Sequence, residues 1–333
     1  MNRVKYFDSL RFMAIFLVYL VHFIDYFHPE YFSFWSVLPY SLLLEGVSGK
    51  LGVALFGVLL GYFAYLSKED HAGRYILKRY AFFVISALVI NSLYAISAFI
   101  QGDKLSIVGV LVESFTLDDD IFPTYWCIPV FFVASILSYL NGKAKVPALC
   151  ILLEIAIFYK LQNIWLAVCL MGNLVARYQL EPCADVLKNR IIRIVLWVVL
   201  FFAIKRPECN TTYMIDGMCC TLMIMLVMRG NLVRKILSWD WLACIGQQGM
   251  AIYILHPICY VTFGPILFRW LRFLPYGWQF AAVLVLCFGV IVLMSFPTMK
   301  LINSATGCAG KWIIKLESIT WQKHIAGSTD NRK

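Results

Sequence analysis

Residues 7–25 read FDSLRFMAIFLVYLVHFID, an apolar run that carries four acidic or basic side chains. Arg11 and His22 are eleven positions apart, so on an α-helix they differ by only about 20° around the axis and by roughly 16 Å along it. Asp8 precedes Arg11 by three residues and Asp25 follows His22 by three, which is the spacing of helical contacts. The run therefore predicts an apolar helix with a polar stripe on one face.

The whole chain has the composition of a membrane protein. Of its 333 residues, 61% are hydrophobic and only 14% are charged, whereas soluble domains carry about 25% charged residues. The apolar runs predict about ten spans, at 8–27, 51–66, 80–100, 125–140, 147–160, 164–178, 191–205, 213–229, 249–268 and 277–301. The short pair at 147–160 and 164–178 could instead form one re-entrant hairpin. The predicted fold is an all-α, polytopic transmembrane helical bundle.

The distribution of lysine and arginine predicts the orientation of this bundle. Most of the 29 basic residues lie in alternate connecting segments, which the positive-inside rule places in the cytoplasm, together with both termini. The same bias explains the net charge of +10, so no nucleic-acid partner is expected. We divide the chain into a membrane-embedded domain, 1–303, and a basic cytoplasmic tail, 304–333. The tail is expected to form a short helix on the anionic inner leaflet.

His22 is the strongest candidate for catalysis, because an ionisable group inside a membrane helix is by default functional. A neutral imidazole in a partly dry cavity can take a proton from a hydroxyl group and return it to a leaving thiolate. Asp25, one turn further on, could fix the tautomer of His22 and stabilise its protonated form. The alternative is a histidine that only hydrogen-bonds a neighbouring helix. No cysteine and histidine spacing typical of a metal site occurs, so no metal is expected.

Basic side chains at two places could bind a cytoplasmic donor. The guanidinium of Arg11 matches a phosphate or carboxylate bidentately, although an ion pair with Asp8 or snorkelling to the headgroups would also explain it. Arg74, Lys78 and Arg79 lie on or beside one helical face entering the third predicted span. They could hold the phosphates of a nucleotide-like donor, and topology-determining charge explains them equally well.

Two later segments carry polar groups inside apolar runs. Tyr253 and His256 are three residues apart and share a helical face, where they could contact substrate or be structural. The His256-Pro257 pair is expected to interrupt the helix and free backbone carbonyl groups. Glu154 lies inside the fifth predicted span, a costly place for a carboxylate, and no role follows for it from the sequence.

Taken in order, these segments resemble the acyltransferase-3 family of integral-membrane O-acyltransferases. The matching segments are 6–22, 52–56, 61–63, 78–79 and 252–257. The first resembles the Asp-x2-Arg-x10-His helix of that family, and the last resembles its Tyr-Leu-x-His-Pro segment. Two positions depart from the pattern. Leu60 stands where many members have serine, and the region 123–130 keeps the family's tryptophan but lacks a glutamate that many members place a few residues later.

The resemblance implies transfer of an acyl group, usually acetyl, from cytoplasmic acyl-CoA to a carbohydrate hydroxyl group at the cell (inner or plasma) membrane. His22 would be the general base or a transient acyl carrier, and Arg11 would serve the donor or the geometry of the site. Acetyl-CoA would be a donor substrate, with no permanently bound cofactor. The acceptor would be a surface polysaccharide or its lipid-linked precursor, and membrane lipids would be further partners.

Two other functions fit the same residues. In a proton-coupled transporter or flippase of a glycan or glycolipid, the stripe on the first helix would relay protons. A membrane assembly protein without catalysis is a third possibility. The sequence leaves the oligomeric state open.

Overall fold

The computed structural model describes residues 4–35, 49–101, 106–117, 126–178, 187, 189–204 and 212–330. The regular elements within these residues are thirteen α-helices. They are α1 (Lys5–Trp35), α2 (Gly49–Tyr65), α3 (Ala72–Gln101), α4 (Ile107–Thr116), α5 (Cys127–Ala144), α6 (Ala148–Lys160), α7 (Ile164–Tyr178), α8 (Arg190–Ile204), α9 (Thr212–Arg229), α10 (Asn231–Leu237), α11 (Asp240–Gly246), α12 (Gly249–Trp270) and α13 (Tyr276–Asp330).

Each predicted span falls mainly on one of these helices, namely α1, α2, α3, α5, α6, α7, α8, α9, α12 or α13. Among the described residues, six helical segments are long and apolar enough to cross a membrane. They are Lys5–Ile24, Ala72–Ile96, Cys127–Ala144, Thr212–Arg229, Gly249–Trp270 and Gly277–Lys315. Within the described residues the prediction of an all-helical fold with several candidate membrane spans is confirmed, whereas the number of ten spans stays a prediction.

Three short helices lie where the sequence indicated only connecting segments. α4 has ten residues; the hydroxyl of Ser106 accepts from the amide of Gly109 at its start, and Leu117 adopts a left-handed conformation at its end. α10 and α11 have seven residues each and precede α12. All three are shorter than the roughly 20 apolar residues of a span, so a search for spans passes over them.

The pair α6 and α7 forms a helical hairpin, joined at residues 161–163. Their 13 and 15 residues correspond to about 20 Å and 22 Å of helix, less than the roughly 30 Å of a hydrocarbon core. The side-chain amide of Asn141 on α5 donates to Oε2 of Glu154 on α6 at 2.8 Å. The carboxylate of Glu154, for which the sequence predicted no role, thus has an amide partner on a neighbouring helix.

The expected separate tail helix is instead the continuation of α13, which runs from Tyr276 to Asp330 without a break. Pro297 lies inside it. The residues that follow Pro297 carry no glycine and proline combination of the kind that ends a helix. The boundary near residue 303, which was placed on composition, is therefore not an end of secondary structure.

The chain divides into two compact units. One comprises Met1–Ser67 and Pro129–Phe296, and the other Lys68–Ile128 and Pro297–Lys333. The first unit contains the stripe on α1 and the His-Pro segment of α12. The second contains the basic residues at the start of α3.

Close contacts between backbones hold the first unit together. α2 packs against α1, α7 and α9. A Cβ atom added at Gly61 of α2 would overlap the carbonyl of Cys169 on α7, and one added at Gly172 of α7 would overlap the carbonyl of Val58 on α2. Small residues that let helix backbones touch are typical of packing inside membranes. The helix that lies beside α1 is therefore fixed in position.

Candidate active site

The stripe predicted on the first helix lies on a continuous element. α1 runs from Lys5 to Trp35, so the eleven-residue separation places Arg11 and His22 on one face, roughly 16 Å apart along the axis. Both side chains are half-buried. A neighbouring face of α1 is anchored to α13 by the hydroxyl of Tyr19, which donates to the carbonyl of Leu284 at 2.7 Å.

At one end of the stripe, Arg11 is held from two sides. Its Nη1 lies 2.6 Å from Oδ1 of Asp8, whose side chain is only 2% exposed, whereas that of Arg11 is 30% exposed. Its Cζ lies 4.6 Å from the centre of the Phe63 ring on α2. The ion pair with Asp8 is therefore present. A guanidinium carries five N–H donors, so one ion pair is compatible with binding an anion as well.

The turn between α11 and α12 packs against the same end of α1. A Cβ atom added at Gly246 would overlap the backbone carbonyl of Asp8, whereas one at Gly249 would lie 3.9 Å from Cβ of Arg11, an ordinary contact. At the start of α11, Asp240 pairs with Lys5 at 2.5 Å. These contacts were not predicted from the sequence, although the two glycines before a predicted span were a visible signal. They fix α11 against the first turns of α1.

At the other end of the stripe, His22 meets His256 of α12. Their ring centres are 5.4 Å apart and the ring planes are inclined by 31°. His256 is completely buried, and its Nδ1 lies 2.6 Å from the carbonyl oxygen of Tyr253. Its Nε2 is also buried and has no hydrogen-bond partner among the described residues. The structure thus brings together two imidazoles that the sequence treated as separate features.

Aromatic side chains lie beside His256. The ring of Tyr253 lies 5.6 Å from that of His256, and the ring of Tyr260 lies 6.1 Å from it. Tyr260 also contacts Phe23, on the same helix as His22. His256 is therefore buried beside aromatic rings, where hydrogen bonds between polar groups are stronger than in water.

The His-Pro segment does not interrupt its helix as expected. α12 is continuous from Gly249 to Trp270, with Pro257 and Pro265 inside it. Neighbouring side chains can satisfy the carbonyl groups that proline frees, so the helix continues.

Asp25, predicted to orient His22, is on α1, but its side chain lies outside the described residues. Its role stays a prediction.

The basic residues at the start of α3 have local partners. Glu69 accepts from Nζ of Lys78 at 2.8 Å and lies 3.6 Å from Nη1 of Arg74, while Nε of Arg79 donates to the hydroxyl of Tyr75 at 3.2 Å. The hydrogen bond from Lys78, with the positive charges of Lys78 and Arg74, lowers the pKa of Glu69 below its usual value. Arg74 and Lys78 thus do converge, on a carboxylate that neutralises part of their charge.

Comparison with known families adds one finding to this geometry. A family model described as an acyltransferase domain matches residues 4–296, nearly the whole chain. The matched range contains α1 and α12, and with them both ends of the stripe. Neither the curated proteins nor the solved structures give a match.

Proposed function

Because the chain belongs to the acyltransferase-3 family, we propose that this membrane acyltransferase is an O-acyltransferase, and that it moves an acetyl group from cytoplasmic acetyl-CoA. The acceptor is a hydroxyl group of a surface polysaccharide or of its lipid-linked precursor. One observation carries the proposal: a guanidinium and an imidazole share one face of α1, and the imidazole lies against a second one on α12.

His22 is the proposed general base. It takes the proton of the acceptor hydroxyl as the oxygen attacks the carbonyl carbon of the thioester. The bond between that carbon and sulfur breaks, and the thiolate of CoA takes the proton back from His22. A positioned acid or base of this kind accelerates a reaction by about 10²- to 10⁴-fold.

Arg11 is proposed to bind a phosphate or carboxylate group of the donor. The contacts with Asp8 and with the ring of Phe63 restrict its side chain, so less conformational freedom is lost when the anion binds. We propose that phosphate groups of CoA bind to Arg74, Lys78 and Arg79. The ion pair between Lys78 and Glu69 would break when the donor binds. Acetyl-CoA is then a donor substrate and not a resident cofactor.

In the cell membrane, both termini and Arg11 would lie on the cytoplasmic side, with His22 deeper in the bilayer. Ten spans would lie within residues 1–303, and residues 304–333 would form a basic cytoplasmic tail. Most lysines and arginines lie in the segments that this arrangement leaves in the cytoplasm. The stripe then joins a cytoplasmic donor to an acceptor that lies further towards the outside.

A cellular experiment tests the proposal. Surface glycans from cells that express wild type or His22→Ala are treated with mild alkali, which cleaves O-acyl esters but leaves amides, and the released acetate is measured. We expect acetate from wild-type cells and background levels from the variant. Val21→Ala, a similar truncation at the preceding half-buried position of α1, should match wild type. Equal acetate release from wild-type and His22→Ala cells at matched expression would contradict the proposal.

The neighbouring imidazoles also suit a proton relay, which keeps the transporter or flippase as the second candidate. The transporter hypothesis predicts a different result. Flux of a glycan or glycolipid across the vesicle membrane would depend on a proton gradient and on His22, and no ester would form. Ester formation in vesicles without a proton gradient would exclude proton coupling as the main role of His22.

A further inference from the structure

The buried ring of His256 has one nitrogen with a defined partner. Nδ1 lies 2.6 Å from the carbonyl oxygen of Tyr253, three residues earlier on α12. A carbonyl oxygen can only accept a hydrogen bond, so Nδ1 carries the proton. In a neutral imidazole with this tautomer, Nε2 is a hydrogen-bond acceptor.

Pro257 explains why that carbonyl needs a partner. In an α-helix the N–H of residue i bonds to the carbonyl of residue i−4, and proline has no N–H. The carbonyl opposite position 257 is that of Tyr253. α12 continues through Pro257, and His256, the residue just before the proline, supplies the missing donor from its side chain. The His-Pro pair therefore fixes the tautomer of its own histidine.

The other nitrogen of His256, Nε2, has no hydrogen-bond donor among the described residues. Nε2 is buried, and buried acceptors of this kind normally have a donor. The ring of His22 is 5.4 Å away, centre to centre. At this separation, a rotation of the half-buried His22 can bring one nitrogen of each ring to about 3 Å, within hydrogen-bond distance. Such contacts often tighten only when substrate binds.

We propose that His256 is the positioning residue of the acyl transfer, an inference that rests on the proposed function. Its Nε2 accepts the N–H of His22, which leaves the other nitrogen of His22 with its lone pair towards the acceptor hydroxyl. His22 is the half-buried ring and His256 the fully buried one, so the substrate meets His22. When His22 takes the proton, the same hydrogen bond becomes charge-assisted and stabilises the cation. The proposed role of His256 is of the same kind as the one predicted for Asp25, which stays a prediction.

Kinetics of the full-length protein in lipid nanodiscs, with labelled acetyl-CoA, tests this role. His256→Leu should lower kcat by about 100-fold, as expected when a base loses its orienting partner, with the KM of acetyl-CoA within about twofold of wild type. His256→Gln should recover most of the loss, because its amide can both donate and accept. An unchanged kcat in His256→Leu, or equal losses in both variants, would overturn the proposal.

Pro257→Ala provides a second test that leaves His256 in place. The new N–H at position 257 competes for the carbonyl of Tyr253 and releases the tautomer of His256, so kcat should fall by roughly tenfold, although alanine suits a helix better than proline. Pro265→Ala, which restores an N–H opposite Val261 in the same helix, should leave kcat unchanged. Equal kcat values for the two proline variants would contradict the tautomer argument.

A spectroscopic measurement separates this inference from the proposed function. The chain has five histidines, so ¹⁵N NMR of histidine-labelled protein can resolve His256 by comparison with His256→Gln. We expect the Nδ1–H tautomer in wild type and a mixture of tautomers in Pro257→Ala. An Nε2–H tautomer in wild type would overturn the inference, whether or not the protein transfers label. Absent label transfer with the expected tautomer would count against the proposed function alone.

Discussion

Arg11 and His22, at the two ends of one face of α1, are held by different kinds of contact. Arg11 is held by a buried carboxylate and by an aromatic ring, whereas His22 meets a second histidine across a helix contact. The spacing of Asp8, Arg11 and His22 could be predicted from the sequence, because it depends only on helical geometry. The contact with His256 could not, because 234 positions separate the two residues and no local pattern encodes their packing.

Arg11→Lys separates the charge from the shape of this side chain. Lysine can keep the ion pair with Asp8, but it loses the planar fork that binds a phosphate or carboxylate bidentately. We expect the KM of acetyl-CoA to rise by about tenfold, which corresponds to about 1.4 kcal/mol. Arg229→Lys, at another half-buried arginine, is the control. A KM near the wild-type value in Arg11→Lys would argue against bidentate binding of the donor.

Glu69→Gln tests whether this carboxylate competes with the donor for Lys78 and Arg74. Without the negative charge, both basic groups become better partners for phosphate, so the KM of acetyl-CoA should decrease. An increased KM would instead show that Glu69 holds these residues in a productive position. A KM that does not change would indicate that they do not contact the donor.

The pH dependence of stability follows from the same contact. Because the folded state lowers the pKa of Glu69, the carboxylate stabilises the fold above its ordinary pKa. This contribution is lost as the pH falls through the lower, folded-state pKa. Thermal unfolding of wild type and Glu69→Gln should therefore differ near neutral pH and converge in acid. A difference that grows in acid would contradict this assignment.

At the scale of elements, long apolar helices were predictable and short ones were not. The predicted span 249–268 ends within two residues of α12, and 80–100 lies inside α3, which begins eight residues earlier. Both were predictable because their apolar runs reach the length of about 20 residues that a bilayer requires. α4, α10 and α11 have no such length. The side chain of Ser106 caps the start of α4, whereas α10 and α11 have no side-chain cap at their starts and depend on packing. The contact of α11 with α1 also depends on Gly246, whose close approach to Asp8 appears only in three dimensions.

A pair of alanine substitutions tests this contact between elements. Gly246→Ala places a methyl group against the carbonyl of Asp8, so α11 must shift relative to α1, which overpacking data suggest would cost about 1–3 kcal/mol. Gly249→Ala adds the same group at ordinary contact distance from Arg11 and Phe56. Thermal unfolding should show a lower midpoint for the first variant only. Equal midpoints would mean that the close approach at Gly246 is not a tight constraint.

At the scale of the whole molecule, the distribution of basic residues predicts a membrane topology that reporter fusions can test. The chain belongs to a family of acyltransferases. Ten spans with both termini in the cytoplasm would place Arg11, the proposed donor-binding residue of α1, on the cytoplasmic side. A reporter active only in the cytoplasm should work when fused after Lys333 or near Lys145. The same reporter inserted near Lys160 should be inactive. The opposite pattern would contradict the proposed orientation.

The most direct test of His22 as the general base of acyl transfer is a measurement of initial rates. Membranes that contain wild type, His22→Ala or Val21→Ala at matched levels are given labelled acetyl-CoA and total glycan acceptor, and ester-bound label is counted over time. We expect transfer by wild type and Val21→Ala, and a rate lower by at least about 100-fold for His22→Ala. Transfer by His22→Ala at the wild-type rate would contradict the account. So would proton-dependent flux that requires His22 without any label transfer by wild type.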